Sequence, residues 1–508
     1  MTRQLAYPGR APLNKPPDIR LPAGFTVRLA GNVHRSRDGR LMLGGSPPRL
    51  LRLTSAATRL LQPGRFTVTD RASAALARRL LDSGVANPRP PACPVQDVTI
   101  VIPVRDRAAQ LGRLLGRLRA DPESAPLPVL VVDDGSADPA AMAAVAARFG
   151  AQLLAHPDNR GPAEARNTGL RRADTVYIAF CDSDVLPQPG WLGPLVAQFA
   201  DPAVALAAPR VLSAVGDTLG PLARYEQSRS PLDMGVREAP VIPLSPLAYV
   251  PAAAMVVRKA AVGDGFAPEL RFAEDVDLCL RLYRAGWGLR YVPAATVTHQ
   301  PRRHFSSWLA QRASYGTGAA DLALRHPGLV PPLYAAPWSF IACGLLLRGR
   351  PVPSTLAGIL FAVAAARLAG LMPDADTPLR ASTMLTLAAL RSTGEQLGRC
   401  ATRHYWPLAL LVSLSSRRAR RLLLAWALAD GLIDHWRCGR PGGLTAHVLL
   451  RRCDDLAYGA GLWVGAIRRR TAAPLLPRLA TAATRLASPA GAEAGTGQPG
   501  QQPGGTGD

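Results

Sequence analysis

Between Val98 and Phe180 the chain alternates uninterrupted apolar runs with segments of helical periodicity, and no other feature of its 508 residues constrains the fold so tightly. The run Val98-Thr-Ile-Val-Ile-Pro103 opens with five β-branched residues, which predicts a parallel strand buried on both faces. Leu111, Leu114, Leu115 and Leu118 follow at the spacing of an amphipathic helix. Val129 to Asp134 reads as the next strand, Ala140 to Phe149 as the next helix and Thr175 to Phe180 as another strand. Strands alternating with helices require right-handed βαβ crossovers, so the expected fold class is α/β with a doubly wound sheet. Ligands of such sheets bind beyond the carboxyl ends of the strands.

Three of these strands end in polar motifs: Pro103-Val104-Arg105-Asp106, Asp133-Asp134-Gly135-Ser136 and Asp182-Ser183-Asp184. Each alone reads as a turn, because Asp and Gly are common turn formers. The topology brings all three to one edge of the sheet, where a nucleotide would sit. An Asp-x-Asp at a strand terminus also supplies an oxygen ligand for a hard cation such as Mn²⁺ or Mg²⁺, which keeps positions open for phosphates. Further along, Glu274-Asp275 opens a helix with Val276, Leu280 and Tyr283 on one face and a stop at Gly286. Taken alone, that pair is an acidic first helical turn.

The flanks read differently. Residues 1–24 are expected to be flexible; Met1 to Arg20 is polar and proline-rich, without the apolar core of a secretory signal. Residues 25–90 form a small α+β unit, with strands around Val27 and Leu41, a short helix from Thr54 to Leu61, and a second helix capped at Thr69-Asp70 with Leu76, Leu80 and Leu81 on one face. Asn87-Pro-Arg-Pro-Pro91 predicts a stiff linker into the α/β domain, which spans 95–330. From 331 to 470 apolar stretches occur at Trp338–Leu347, Leu356–Ala366, Tyr405–Leu414 and Leu422–Leu428, none reaching the ~20 residues of a simple membrane span. They predict interfacial or re-entrant helices, or a helical hairpin packed on the preceding domain, in a region associated peripherally or integrally with the cytoplasmic face of the cell membrane, where Arg417-Arg418-Ala419-Arg420-Arg421 would suit an anionic leaflet; the competing reading is a soluble helical domain. Residues 471–508 read as a largely disordered tail.

The net charge of +24 is carried by arginine, since Lys15 and Lys259 are the only lysines. It favours phosphate-rich ligands or anionic lipid. With no recognition helix, zinc module or aromatic-rich basic patch, no nucleic-acid partner is expected. The seven cysteines lack any C-x-x-C pair, so neither a disulfide framework nor a zinc site is indicated, and a reducing, cytoplasmic compartment fits.

Taken in order, Ile102-Pro103 with Asp106, Val131 to Ser136, Arg160 to Gly169, Asp182-Ser183-Asp184 and Phe272 to Leu278 resemble the family 2 glycosyltransferases of GT-A, Rossmann-like fold. The resemblance covers Val98 to about His299 and implies sugar transfer from a nucleotide-sugar donor with inversion. It implies that Pro103, Asp106, Asp134, Arg160 and Asp182 hold the donor, that Asp184 and His299 hold Mn²⁺ or Mg²⁺, and that Asp275 is the general base. Gln311-Arg312 with Ser314-Tyr315-Gly316 would reach the diphosphate or form a solvated helix face. Ala273 departs from the glycine of many relatives and touches loop flexibility rather than chemistry. The front unit resembles the PqqD-like, winged-helix fold that holds precursor peptides in peptide-modifying systems. Nearly the whole chain resembles the mycofactocin-system glycosyltransferases, which implies a peptide-derived redox cofactor as acceptor, UDP-glucose as donor and a β-1,4-oligoglucose product. The alternatives are a polyprenyl-phosphate or cell-wall polysaccharide acceptor, or a degenerate binding scaffold.

Overall fold

The β-branched runs pair as their composition demands. Val98–Val104 lies between Tyr177–Cys181 and Val129–Asp134, parallel to both, and Gln152–His156 continues the parallel block at its edge. The computed structural model describes Leu13 and residues 19–61, 64–214, 220–300, 304–372, 376–440 and 442–480. Every residue of Val98–Val104 is buried because each face of the sheet is covered. Val98, Ile100, Ile102 and Val104 join the core containing Leu111, Leu114, Leu115 and Leu118 of the Ala108–Ala120 helix. Val101 faces the opposite core, with Ala163, Ala165 and Leu170 of the Pro162–Arg172 helix.

Beyond Tyr177–Cys181 the sheet becomes mixed. Ala254–Arg258 runs antiparallel to it and to Val204–Ser213, and Gly288–His299 lies parallel to Val204–Ser213. Gly288–His299 is a single strand, and its far end pairs with Val185–Pro187 in the register Val185 opposite His299, so His299 is a strand-end residue. That pairing draws His299 to the Asp-x-Asp motif.

Two three-stranded antiparallel sheets make up the front unit: Thr26–Leu29 between Arg65–Thr67 and Ala86–Arg89, and Leu41–Gly44 between His34–Arg35 and Arg49–Arg52. Asp70 caps the second helix as expected, in a reciprocal capping box with Ser73, and Thr54 caps the first, Ser55–Leu60. Leu80 and Leu81 are buried, whereas Leu76 is half-buried at the margin of the same core. The linker expected from Asn87 is corrected in its first half. Ala86–Arg89 is an edge strand, where Pro88 is tolerated opposite Val27. Arg78 pairs with Asp201 and Arg89 with Glu238, joining the front unit to the large sheet.

The apolar stretches fall in helices Pro337–Leu347, Pro351–Gly370, Trp406–Ser415 and Arg417–Arg437. One of them differs from expectation. Pro351–Gly370 extends past its apolar centre at both ends and is long and apolar enough, by length and composition, to cross a membrane. Leu444–Arg468 packs on the long Phe305–Arg325 helix through glycines: a Cβ on Gly461 would stand 1.8 Å from the Ala313 carbonyl oxygen, and one on Gly316 2.1 Å from that of Tyr458. Within the stretch 471–508, Arg478–Leu479 pairs with Tyr334–Ala335. Residues 481–508 and most of 1–24 lie outside the described residues.

Candidate active site

The carboxyl ends of the parallel strands open into a cleft of about 1540 Å³ that Pro103, Asp134, Asp182, Asp184, Asp275 and His299 all line. The loop after Val98–Val104 turns through Asp106, whose φ of 55° lies in the left-handed region that Asp tolerates better than most residues. Its backbone N–H donates to Ser136 Oγ at 2.8 Å and its Oδ1 accepts from the Ala137 N–H at 2.8 Å. Asp106 therefore buckles the first strand-end loop to the second. Its neighbours Arg105 and Arg107 reach the cleft wall.

Asp134 is buried at the end of its strand. Oδ1 accepts from the Arg160 N–H and Oδ2 from the Gly161 N–H, both at 2.8 Å, so the carboxylate sits at the start of the Pro162–Arg172 helix. Arg160 contributes to this contact through its backbone N–H. His156 Nδ1 also meets Asp134 Oδ1 at 2.9 Å, while its Nε2 meets Thr168 Oγ1 at 3.0 Å. Nothing in the residue pattern singles out His156; register delivers it, since it pairs with Asp134 across the sheet.

Asp182 accepts from Arg166 Nη2 at 2.7 Å, and Arg166 Nη1 reaches Glu274 Oε1 at 2.8 Å. One buried guanidinium thus clasps the Asp-x-Asp motif to the helix that carries Asp275. Burial pushes the Asp182 carboxyl up; Arg166 opposes that rise and Asp184 adds to it. Arg166 belongs to the Arg160 to Gly169 motif, yet a charged residue in mid-helix does not announce the two acids it will bridge.

Asp184 behaves oppositely. Burial would raise its pKa, but the hydrogen bond and charge of His299, with the Arg107 guanidinium, hold it down at about 2. His299 Nε2 stands 3.6 Å from Asp184 Oδ1, and Arg107 contacts Oδ2. The carboxylate is the hard oxygen donor that Mn²⁺ and Mg²⁺ take, and the imidazole beside it is a softer donor that suits Mn²⁺ better than Mg²⁺. Among the described residues no group of three or more His, Cys, Asp or Glu could hold a metal, so any ion here takes its remaining ligands from substrate or water. The pair fits a donor-completed metal site.

Asp275 occupies the first turn of Glu274–Arg284, with Oδ1 accepting from its neighbour Val276 N–H at 2.8 Å and Oδ2 from the Ala252 N–H at 3.1 Å. Burial, reinforced by the charge of Glu274, pushes its pKa up to about 7 despite those two donors. A carboxyl poised there takes a proton efficiently near neutral pH. The residue before this helix, Ala273, has φ 65° and ψ 24°, a conformation glycine adopts without strain. The departure at Ala273 is thus a matter of backbone conformation.

Residues 99–261 match the family described as Glycosyl transferase family 2. A pre-mycofactocin glycosyltransferase of Mycobacterium tuberculosis is 45% identical over 474 residues, covering 91% of this chain and 99% of that protein. The chain belongs to glycosyltransferase family 2. Succinoglycan biosynthesis protein ExoU of Rhizobium meliloti is 31% identical over 217 residues, 37% of this chain and 58% of its own length. Among solved structures, a mannosyltransferase from Pyrobaculum calidifontis in complex with GDP-Man and Mn²⁺ aligns with a TM-score of 0.38 at 19% identity, over 71% of this chain and 89% of that one. As a family 2 glycosyltransferase the protein is an enzyme of GT-A fold.

In the helix of Asp275, Leu280 is buried along with Leu278, Cys279 and Leu282, Tyr283 packs half-buried against the core that holds Leu278, and Val276 lines the cleft. One expectation about this glycosyltransferase is corrected. Arg312 neither lies on a solvated face nor stands free for a diphosphate: it is buried against Glu226 and 3.4 Å from Asp454, and Trp308 Nε1 shares Glu226 at 2.8 Å. The partner that captures it, Asp454, lies 142 residues downstream, beyond the reach of any local motif.

Proposed function

We propose that the protein transfers glucose from UDP-glucose, with Mn²⁺ or Mg²⁺ at Asp184 and His299, onto the peptide-derived redox cofactor mycofactocin, building a β-1,4-linked oligoglucose chain with inversion at each step. The observation that carries the acceptor is 45% identity to a pre-mycofactocin glycosyltransferase over nearly the full length of both chains. The chemistry is supported by the cleft, where a low-pKa carboxylate beside an imidazole faces a carboxyl poised near neutrality. When bound, the cation would offset the charge that grows on the departing diphosphate. Asp275 would take the proton of the acceptor hydroxyl as its oxygen attacks the anomeric carbon, directly displacing the leaving group. Asp134 and Asp106 shape the nucleotide end through the two loops they tie, and Asp182, fixed by Arg166, borders the diphosphate.

The front unit would present the peptide-derived acceptor, held to the catalytic domain by Arg78 and Arg89. The protein would work at the cytoplasmic face of the membrane; contact with a membrane surface is supported by helices between Pro337 and Arg437 that expose Ile341, Val352, Ile359, Leu411, Leu414 and Trp436. The test is mass spectrometry of the full chain incubated with Mn²⁺, the mycofactocin precursor and a panel of UDP-sugars. A ladder of hexose additions restricted to UDP-glucose, lost in Asp184→Ala and after chelation, is the expected result. Release of UDP without addition to the precursor would move the acceptor to lipid or wall glycan.

A further inference from the structure

The cleft is larger than the roughly 300–1,000 Å³ that one small-molecule ligand usually occupies, at about 1540 Å³. Besides the strand-end residues, the same cleft is lined by residues of the C-terminal helical region, Arg403, His404, Tyr458 and Leu462 among them. Tyr249 lines it beside Asp275, and Tyr458 of Leu444–Arg468 lines the same cleft close enough for its charge to act on Tyr249. The Arg403 guanidinium lies 3.9 Å from the centre of the Tyr458 ring, and the His404 ring stands edge-on to the same tyrosine at 6.0 Å. Both tyrosines are half-buried, and neither phenol hydroxyl has a hydrogen-bond partner among the described residues.

The charges of this arm are already matched. Arg403 pairs with Asp455 at 3.1 Å, Arg437 with Glu395 at 3.2 Å, Arg451 with Asp430 at 3.4 Å, and Arg399 with Glu395 at 3.8 Å. An arm whose cations are spent on internal carboxylates offers little to a phosphate or carboxylate ligand. What it offers is aromatic faces and free hydroxyls.

We propose that the helical arm is the acceptor subsite and takes a neutral, hydroxyl-bearing ring, the class of a pyranose sugar, laid against Tyr458 and Tyr249 with its reacting hydroxyl toward Asp275. The assignment rests on the glycosyl-transfer reading above. The sugar's C–H face meets the tyrosine rings and its hydroxyls meet the two phenols. In the transfer the acceptor oxygen forms the new bond to the anomeric carbon, the bond from that carbon to the diphosphate oxygen breaks, its electron pair leaves with the diphosphate, and the hydroxyl proton passes to Asp275.

Titration calorimetry of cellobiose and of glucose 6-phosphate into the full chain, with UDP and Mn²⁺ present, tests the subsite without turnover. Cellobiose is expected to bind, to weaken about tenfold or more in Tyr458→Ala, and to recover in Tyr458→Phe, which keeps the ring. Tyr249→Ala gives the same readout should Tyr458→Ala fail to fold. Unchanged cellobiose affinity in the alanine variants, or tighter binding of glucose 6-phosphate than of cellobiose by the parent protein, would overturn the proposal. UDP release from UDP-glucose by the parent preparation separates the two levels. Silence there breaks the glycosyl-transfer reading and the subsite with it, whereas UDP release with unaltered cellobiose binding in the alanine variants breaks the subsite alone.

Discussion

The two halves of the cleft are built on opposite plans. On the strand side, Pro103, Asp134, Asp182 and Asp184 line the wall from strand-end loops, and these carboxylates are held by backbone N–H groups, by an arginine, or for Asp184 by Arg107 together with His299, while still lining the cavity. On the helical side, residues far apart in the chain meet, and acids and arginines neutralise each other inside the protein. The strand side keeps its electrostatics available for a charged ligand, while the helical side uses them to fasten helices together. Asp275 lies on the seam between the two.

Because Asp275 is where the halves meet, its removal should produce the largest effect. Asp275→Asn is expected to lower kcat about 100- to 10,000-fold, the range of a lost general base, with donor affinity retained. The parent protein's kcat/KM should fall roughly tenfold per pH unit below about 7, since the base acts only when deprotonated, and a flat profile from pH 5 to 8 would remove Asp275 from that role. The same shift has a stability consequence of opposite sense. The folded state binds a proton that the unfolded chain, with an ordinary aspartate, has already lost. Its stabilising effect is full below the ordinary aspartate pKa and disappears as pH rises through about 7. Thermal melts at pH 8 should show Asp275→Asn above the parent protein.

Arg166→Met tests whether the halves are coupled through the clasp. It leaves Asp182 and Glu274 without their shared cation, and a loss of about 3–5 kcal/mol in chemical denaturation is expected, as for a broken buried ion pair. Gly461→Leu addresses the helical side alone. Forcing a side chain into the Ala313 backbone should destabilise by about 1–3 kcal/mol or more and reduce transfer to acceptor further than UDP release; equal losses would mean that the helices do not shape the acceptor half. The smallest effect belongs to Ala273→Gly, which relieves the left-handed alanine at the cost of a more flexible unfolded chain. A gain of up to about 1 kcal/mol with little change in kcat is expected, measured by thermal melts.

The residues alone determined the strand side. Uninterrupted β-branched runs can be satisfied only in a sheet covered on both faces, and a strand followed by a helix must project its carboxyl end to one edge, so Pro103, Asp134, Asp182 and Asp184 were bound to converge. Asp275 was legible as well, through the motif around it. Three features needed the tertiary structure. Arg166 found two acids from different segments; Arg312 was captured by Asp454 from another helix; and Leu444–Arg468, for whose region the sequence left both a membrane surface and packing on the preceding domain open, docked on Phe305–Arg325. The pairing of His299 with Asp184 came from the family resemblance, and the structure supplies the strand register that brings them together. Periodicity and turn chemistry act over a few residues, whereas pairing of buried charges and close approach at glycine depend on where distant segments come to rest.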